Sequence, residues 1–279
     1  VPVTELTVDE WTRIASSIGR PSLLIITGGE PFLRTDLHEI VHGFSSVAKV
    51  PRVSIPTNGS FPDRIETAVH RILQNTDLKS LCISFSIDGI GATHDGLRKL
   101  PGSFDRICQG FRRLKPLKES YGDRLVLHTA SVYSALTQGH IEELVRWIET
   151  ELDPDTMGLT LVREPFRGPH HEGMDIELYR QLNSSLSSRS ISGRYTRLGD
   201  RIHKAKTERV IREQVFDEYI SPCFAGQHSA VIKADGTVPL CESREDIIGD
   251  LREYDFDFEA LWSSREAVNA TKRQQSENC

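Results

Sequence analysis

Five short apolar runs that alternate with amphipathic stretches constrain the fold of this chain more than any other feature. Thr7-Val8-Asp9-Glu10 has capping-box spacing, and Trp11, Ile14 and Ile18 follow at helical intervals. Leu23-Leu24-Ile25-Ile26 is a continuous apolar run, as a buried parallel strand requires. A helical stripe follows with Leu37, Ile40, Val41 and Phe44. The pattern then repeats. Strands are expected at 53–56, 81–87, 125–131 and 157–162. Between them lie helices marked by Ile65, Val69, Ile72 and Leu73, by Ile107, Phe111 and Leu114 behind a capping Ser103, and by Ile141, Leu144, Val145 and Ile148.

Strand–helix units with short connections put parallel strands side by side through right-handed crossovers. The expected fold class is therefore α/β, a partial parallel (β/α)6 TIM-like barrel with a small C-terminal domain that contains a hairpin. Because the chain opens on a helix, the first strand of such a barrel is expected to be missing. The barrel core is assigned to residues 1–163. From 164 to 222 the text changes to a connecting segment, with a loop around Pro165, Gly168, Pro169, His170 and His171 and a charged helix between Tyr195 and Tyr219. Residues 223–279 form the last domain, where 230–240 reads as a hairpin turning at Asp235-Gly236.

The charge balance narrows the class of partner. A net charge of −6 argues against a nucleic-acid binder driven by phosphate contacts. No apolar run approaches a membrane span and no signal peptide opens the sequence, so a cytoplasmic protein without membrane partners is expected. The five cysteines, Cys82, Cys108, Cys223, Cys241 and Cys279, read as thiols or metal ligands rather than as a disulfide framework.

The first chemical signal is Thr27-Gly28-Gly29-Glu30-Pro31, at a strand end before the next helix. Two glycines let backbone approach a ligand closely, and a carboxylate beside them suits an ammonium group. Sites in parallel α/β folds form at the C-terminal ends of strands. With these residues the sequence resembles the radical S-adenosylmethionine (SAM) superfamily, where this motif binds the amino group of SAM. The resemblance continues at Thr57-Asn58-Gly59 and at Ser86-Ile87-Asp88-Gly89, which implies that Thr57, Asn58, Ser86 and Asp88 join Gly28, Gly29, Glu30 and Pro31 in binding SAM. On that third strand Cys82, Ser84, Ser86 and Asp88 share one face, opposite Leu81, Ile83, Phe85 and Ile87. The resemblance places Ser86 against a ribose. His94-Asp95-Gly96-Leu97-Arg98 resembles the family's His-Asp-x-x-Arg motif, which implies that the Arg98 fork pairs with the SAM carboxylate.

The second signal lies near the end. Cys223, then Gly236 with Cys241 five residues beyond it, matches the Cys…Gly-x-x-x-x-Cys arrangement of SPASM and Twitch domains, which hold auxiliary [4Fe–4S] clusters. Thiolate is the ligand such iron needs. Ile248-Gly249-Asp250-Leu251 and Leu261-Trp262 resemble the connector before the final cysteine group, which Cys279 would open. A zinc site, or three unrelated thiols, is the competing reading.

Weaker candidates remain. Glu242 follows Cys241 where sulfatase-maturating relatives carry a catalytic aspartate, so it is a candidate base against a plain surface role. His128 and Arg163 sit where they could reach a substrate, but core or surface roles compete. His170 and His171 read as solvated loop residues. Cys82 and Cys108 read as packed thiols.

The resemblance implies a radical SAM oxidoreductase that cleaves SAM to a 5′-deoxyadenosyl radical and abstracts hydrogen from a peptide or protein. It implies SAM, a catalytic [4Fe–4S] cluster, auxiliary [4Fe–4S] clusters and a low-potential donor such as flavodoxin or ferredoxin. One alternative is an enzyme of the same family acting on a small molecule such as a cofactor or tetrapyrrole precursor. A non-catalytic member that binds SAM or a partner is the other. The family's Cys-x-x-x-Cys-x-x-Cys motif does not occur in these residues. The chain is therefore expected to be a fragment truncated at both ends, inactive in SAM cleavage by itself.

Overall fold

The computed structural model describes residues 4–162, 173–187, 196–220, 224–243 and 246–276. Along the chain, α1 (Val8–Ser17) precedes β1 (Leu24–Ile25), α2 (Leu37–Ser46), β2 (Arg52–Thr57), α3 (Pro62–Asn75) and β3 (Ser80–Ser86). Three helices follow, α4 (Ala92–Arg98), α5 (Ser103–Leu114) and α6 (Leu117–Tyr121). Then come β4 (Leu125–Tyr133), α7 (Ile141–Trp147), β5 (Thr156–Leu161), α8 (Ile176–Ser187) and α9 (Thr196–Gln214). The C-terminal part holds β6 (Thr237–Pro239), β7 (Ile247–Asp250), α10 (Phe258–Trp262) and α11 (Arg265–Ser276). No helix among the described residues is long and apolar enough to cross a membrane.

Contacts divide the chain into two compact units. One comprises 23–37 and 51–218, and holds a parallel sheet in the order β1-β2-β3-β4-β5. Five parallel strands joined through helices are the partial barrel that the alternation predicts. Register fixes its two faces. Val53, Leu81 and Leu125 align in one row, and Ile55, Ile83 and Leu127 in the next. All six are buried. Phe85 continues that face and meets Phe111 of α5, ring centroids 5.2 Å apart, so this is the side packed beneath helices.

The opposite face is polar. Ser54 aligns with Cys82, and Pro56, Ser84, His128 and Thr156 form the next row, followed by Ser86, Ala130 and Gly158. The alternation along β3 is the one that side-chain periodicity requires. At the far edge Tyr133 packs on Tyr179 of α8 at 5.3 Å and donates its hydroxyl to the Asp175 carbonyl at 2.6 Å.

The second unit gathers the described parts of 1–22, 38–50 and 219–279. Thr7 caps α1 through the expected reciprocal bonds with Glu10. The Leu6 N–H donates to the Ala234 carbonyl at 2.7 Å, and Arg252 bonds the Thr4 carbonyl at 3.0 Å, so the chain's beginning is laced to the C-terminal turn. Arg13 of α1 bonds the Asp255 carbonyl at 2.8 Å, and Ser17 Oγ accepts from Phe258 N–H at 2.8 Å.

Three local expectations are corrected. The turn at Asp235-Gly236 forms, with Gly236 N–H donating to the Lys233 carbonyl at 3.0 Å and Lys233 N–H to the Thr237 carbonyl at 2.8 Å, but the strand with which β6 forms its ladder is β7. Ser103 does not cap α5. It is the first helical residue, Gly102 holds the cap position, and Asp95 supplies the missing acceptor. The first strand shrinks to Leu24–Ile25, although Ile26 N–H still reaches the Ser54 carbonyl at 3.0 Å.

Candidate functional site

The ends of β1, β2 and β3 carry the residues that the motifs singled out. After β1, Gly28 has φ +153°, and among the described residues beyond its chain neighbours neither it nor Gly29 would bring an added Cβ within 4 Å of an atom. Backbone here faces open space, which is what a ligand lying along it needs. Pro31 begins a short 3-10 turn, Pro31–Leu33, and Glu30 caps it by accepting from Phe32 N–H at 3.2 Å.

Glu30 is 92% covered, and its carboxylate is held from the next strand. The Thr57 hydroxyl donates at 2.8 Å, and the Asn58 N–H at 2.7 Å. Thr57 Oγ1 in turn accepts from Gly59 N–H at 3.0 Å, and Asn58 Oδ1 accepts from Ser60 N–H at 2.9 Å. Thus Thr57 and Asn58 engage Glu30 and their own turn. Gly59, at φ +72°, lets this loop press on α5: an added Cβ would lie 2.5 Å from the Ile107 Cα.

Beyond β3 the geometry centres on Asp88. Its Oδ1 accepts from Val132 N–H at 2.9 Å, and its Oδ2 pairs with Arg98 at 2.7 Å. Its own N–H donates to His94 Nδ1 at 3.2 Å, and its carbonyl lies 2.9 Å from His140 Nε2. Ser86, the last residue of β3, is partly exposed on the polar face. Gly89 permits a close approach here, because a Cβ would fall 2.9 Å from the His94 backbone nitrogen.

The His-Asp-x-x-Arg motif divides its labour. Burial, and then the charge of Arg98, hold the His94 imidazole below its ordinary pKa. A neutral ring with Nδ1 accepting keeps its proton on Nε2. Asp95 caps α5 from outside: Gly102 N–H donates at 2.6 Å, Phe104 N–H at 2.9 Å and Ser103 Oγ at 2.8 Å. The Phe104 bond leads in holding the Asp95 carboxyl below the usual carboxylate range. Arg98, its side chain two-thirds covered, is the member that pairs with Asp88 beyond the end of β3.

His128 sits on the polar face, its Nδ1 2.8 Å from Thr156 Oγ1, and burial lowers its pKa. An added Cβ on Gly158 would meet His128 Nε2 at 3.0 Å. Cys82 and Cys108 are free thiols pushed up by burial, Cys108 to about 11, so neither has thiolate character.

In the second unit Cys241 follows β6 as a half-buried free thiol and Glu242 is exposed. Cys223, Cys279, Arg163, His170 and His171 lie outside the described residues. Among the described residues no group of three or more His, Cys, Asp or Glu side chains is arranged for a metal. The segments next to the cysteines do converge. Gly226, at φ +78°, packs so that a Cβ would lie 2.8 Å from Thr271 Oγ1 of α11 and 2.9 Å from Leu240 Cδ1. The turn after Cys223, the strand before Cys241 and the last helix thus meet. Gly249 is similarly close to Leu261, at 3.0 Å for an added Cβ.

Sequence reasoning missed His140, Val132 and the capping role of Asp95. Asp95 lies seven residues before Gly102, and Asp88 is 44 and 52 residues from Val132 and His140. None of these spacings is a local motif.

Comparison with known proteins adds four findings. Residues 223–279 match the SPASM family model, an iron–sulfur cluster-binding domain. The chain is 38% identical over 121 residues to the AdoMet-dependent heme synthase of Methanosarcina barkeri, which is 41% of this chain and 32% of that protein. It is 32% identical over 113 residues to the pre-heme d1 synthase of Dinoroseobacter shibae, 40% of this chain and 26% of that protein. The matched stretches therefore span about a third or less of these relatives. In fold, the chain is similar to native anSMEcpe with bound AdoMet and Cp18Cys peptide, with a TM-score of 0.60 at 14% identity over 96% of this chain and 74% of that one.

Proposed function

We propose that this chain, which belongs to the radical SAM superfamily and carries a SPASM iron–sulfur domain, is part of an enzyme that cleaves SAM reductively and abstracts hydrogen from an organic substrate. The observation that carries the reading is a pair of anchors at the ends of β1 and β3: open Gly28-Gly29 backbone beside Glu30, and Arg98 held on Asp88. When bound, a reduced [4Fe–4S] cluster supplies the electron that splits SAM into methionine and a 5′-deoxyadenosyl radical. The protein's part is to bind, orient and shield.

The residues present fit SAM. The Arg98 guanidinium has N–H groups beyond the one on Asp88, enough for a second carboxylate. Gly28 and Gly29 leave backbone open for the ammonium end, with Glu30 giving the strand end a negative charge. Ser86 offers a hydroxyl to a ribose from the polar face. Cys241, with Cys223 and Cys279, is assigned to an auxiliary cluster, and thiolate is the donor it requires. Glu242, exposed beside Cys241, is retained as a candidate base. The proposed domain division, read from the sequence, is barrel core 1–163, connecting segment 164–222 and auxiliary-cluster domain 223–279. A flavodoxin or ferredoxin is the proposed donor.

For the substrate, sequence identity weighs more than fold likeness. The relatives named above are tetrapyrrole enzymes, so a small molecule of that type stands first. A peptide or protein stands second, supported by the peptide-bearing structure.

The test uses the protein encoded by the complete gene, reconstituted anaerobically, with iron, sulfide and 5′-deoxyadenosine measured. Deoxyadenosine release, raised by an iron-porphyrin precursor rather than by peptides, is expected. Iron without SAM cleavage would leave a binding or electron-transfer protein, and absence of iron would remove the reading of the cysteines.

A further inference from the structure

The carboxylate of Asp88 is held so that it cannot follow a ligand, yet it holds the arginine assigned to ligand binding. The backbone N–H of Val132 fixes Oδ1 at 2.9 Å, while His94 and His140 fix the two sides of the Asp88 peptide at 3.2 and 2.9 Å. Ser131 Oγ adds a bond to the preceding carbonyl, Ile87, at 2.5 Å. Asp88 is 93% covered, and its Oδ2 pairs with Arg98 Nη2 at 2.7 Å. A long arginine side chain otherwise samples many rotamers, and fixing it in advance removes that entropy cost from binding.

We propose that Asp88 is a positioning residue that holds Arg98 ready for a ligand carboxylate, and that His140 supports it by fixing the Asp88 carbonyl. The inference rests on the SAM reading of the site and deepens it. Asp88 itself then makes no contact with the ligand. It takes one N–H of the guanidinium and leaves the others for a ligand carboxylate. His94 belongs to the same device: its Nδ1 needs the Asp88 N–H, and its neutral ring adds no positive charge against Arg98.

A structural role and a positioning role separate by ligand. S-adenosylhomocysteine carries the amino-acid carboxylate, whereas methylthioadenosine lacks it and keeps the nucleoside and sulfur. Both are titrated calorimetrically into the reconstituted complete-gene protein, wild type and Asp88→Asn. The amide retains an acceptor for Val132 N–H but gives up the charge on Arg98. Losing one charge-assisted bond should weaken S-adenosylhomocysteine by roughly tenfold while methylthioadenosine stays within about twofold. His140→Ala should reproduce the contrast more weakly. Where Asp88→Asn is insoluble, Asp88→Glu gives the same readout, since it keeps the charge and displaces the guanidinium.

Equal weakening of both ligands would make Asp88 a scaffold residue and overturn the inference. Unchanged or tighter S-adenosylhomocysteine binding would overturn it too, the latter making Asp88 a competitor for Arg98. If the wild-type protein binds neither ligand, the SAM reading fails and this inference falls with it. Wild-type binding with no ligand contrast fails the inference alone.

Discussion

The Thr57 hydroxyl donates to Glu30 Oε1 at 2.8 Å and lies 3.0 Å from Oε2, across 27 residues of sequence. It ties the end of β1 to the end of β2 through a buried carboxylate. Thr57→Val keeps the shape but removes this donor, and also the acceptor for Gly59 N–H. The expected loss is about 1–3 kcal/mol, the cost of leaving a buried polar group unsatisfied. Urea unfolding should show a lower midpoint with an unchanged slope, and Thr57→Ser should restore most of it. A midpoint equal to wild type would show that the carboxylate finds another partner.

Two glycines in the same loops should behave in opposite ways. Gly59→Ala places a methyl 2.5 Å from the Ile107 Cα at a φ of +72°, so the fold should lose about 2 kcal/mol or more. Gly29→Ala meets nothing within 4 Å among the described residues, so thermal stability should stay close to wild type while SAM binding weakens. Melting temperature and ligand titration on both variants check the contrast. A Gly29 variant with normal binding would move the ligand away from this backbone.

Acid should destabilise the first unit through His94. Its folded-state pKa lies below the ordinary 6.5, so the unfolded chain takes up the proton first as pH falls. The stabilisation is fully present above pH 6.5 and is lost as pH drops from there through the folded-state value. Protonation also removes the acceptor for Asp88 N–H. His128, lowered by burial, contributes with the same sign. Melting temperature against pH should therefore fall on the acid side, and His94→Gln should flatten that fall without abolishing it. An unaltered slope would assign the acid sensitivity to other groups.

In the C-terminal unit, Cys241→Ser should lower iron and sulfide per chain while far-ultraviolet circular dichroism stays unchanged. Gly226→Ala, which drives a methyl into Thr271 and Leu240, should lower iron content without removing a thiol. Iron retained in both variants would dissociate Cys241 from the cluster.

How much of this was legible in the residues alone differs by element. The strands over Arg52–Thr57, Ser80–Ser86 and Thr156–Leu161 stand within a residue or two of where the apolar runs predict them. β1 is shorter than its run and β4 extends to Tyr133. Periodicity succeeds because burial repeats with the backbone, two residues per strand cycle, and needs no knowledge of partners. The β6–β7 pairing escaped it, because an Asp-Gly turn specifies a reversal but not which later segment completes the ladder.

The sequence by itself determined the strand–helix alternation, the glycine-rich strand end and the cysteine spacing, since each is written in neighbouring residues. Only the tertiary structure decided which atom each polar group meets. Glu30 turned to Thr57, Asp95 became the cap of α5, and Asp88 took Val132, His140 and Arg98 as partners. A hydrogen bond is directional and acts over about 3 Å. Residues tens of positions apart come within that reach only after the sheet has closed its register.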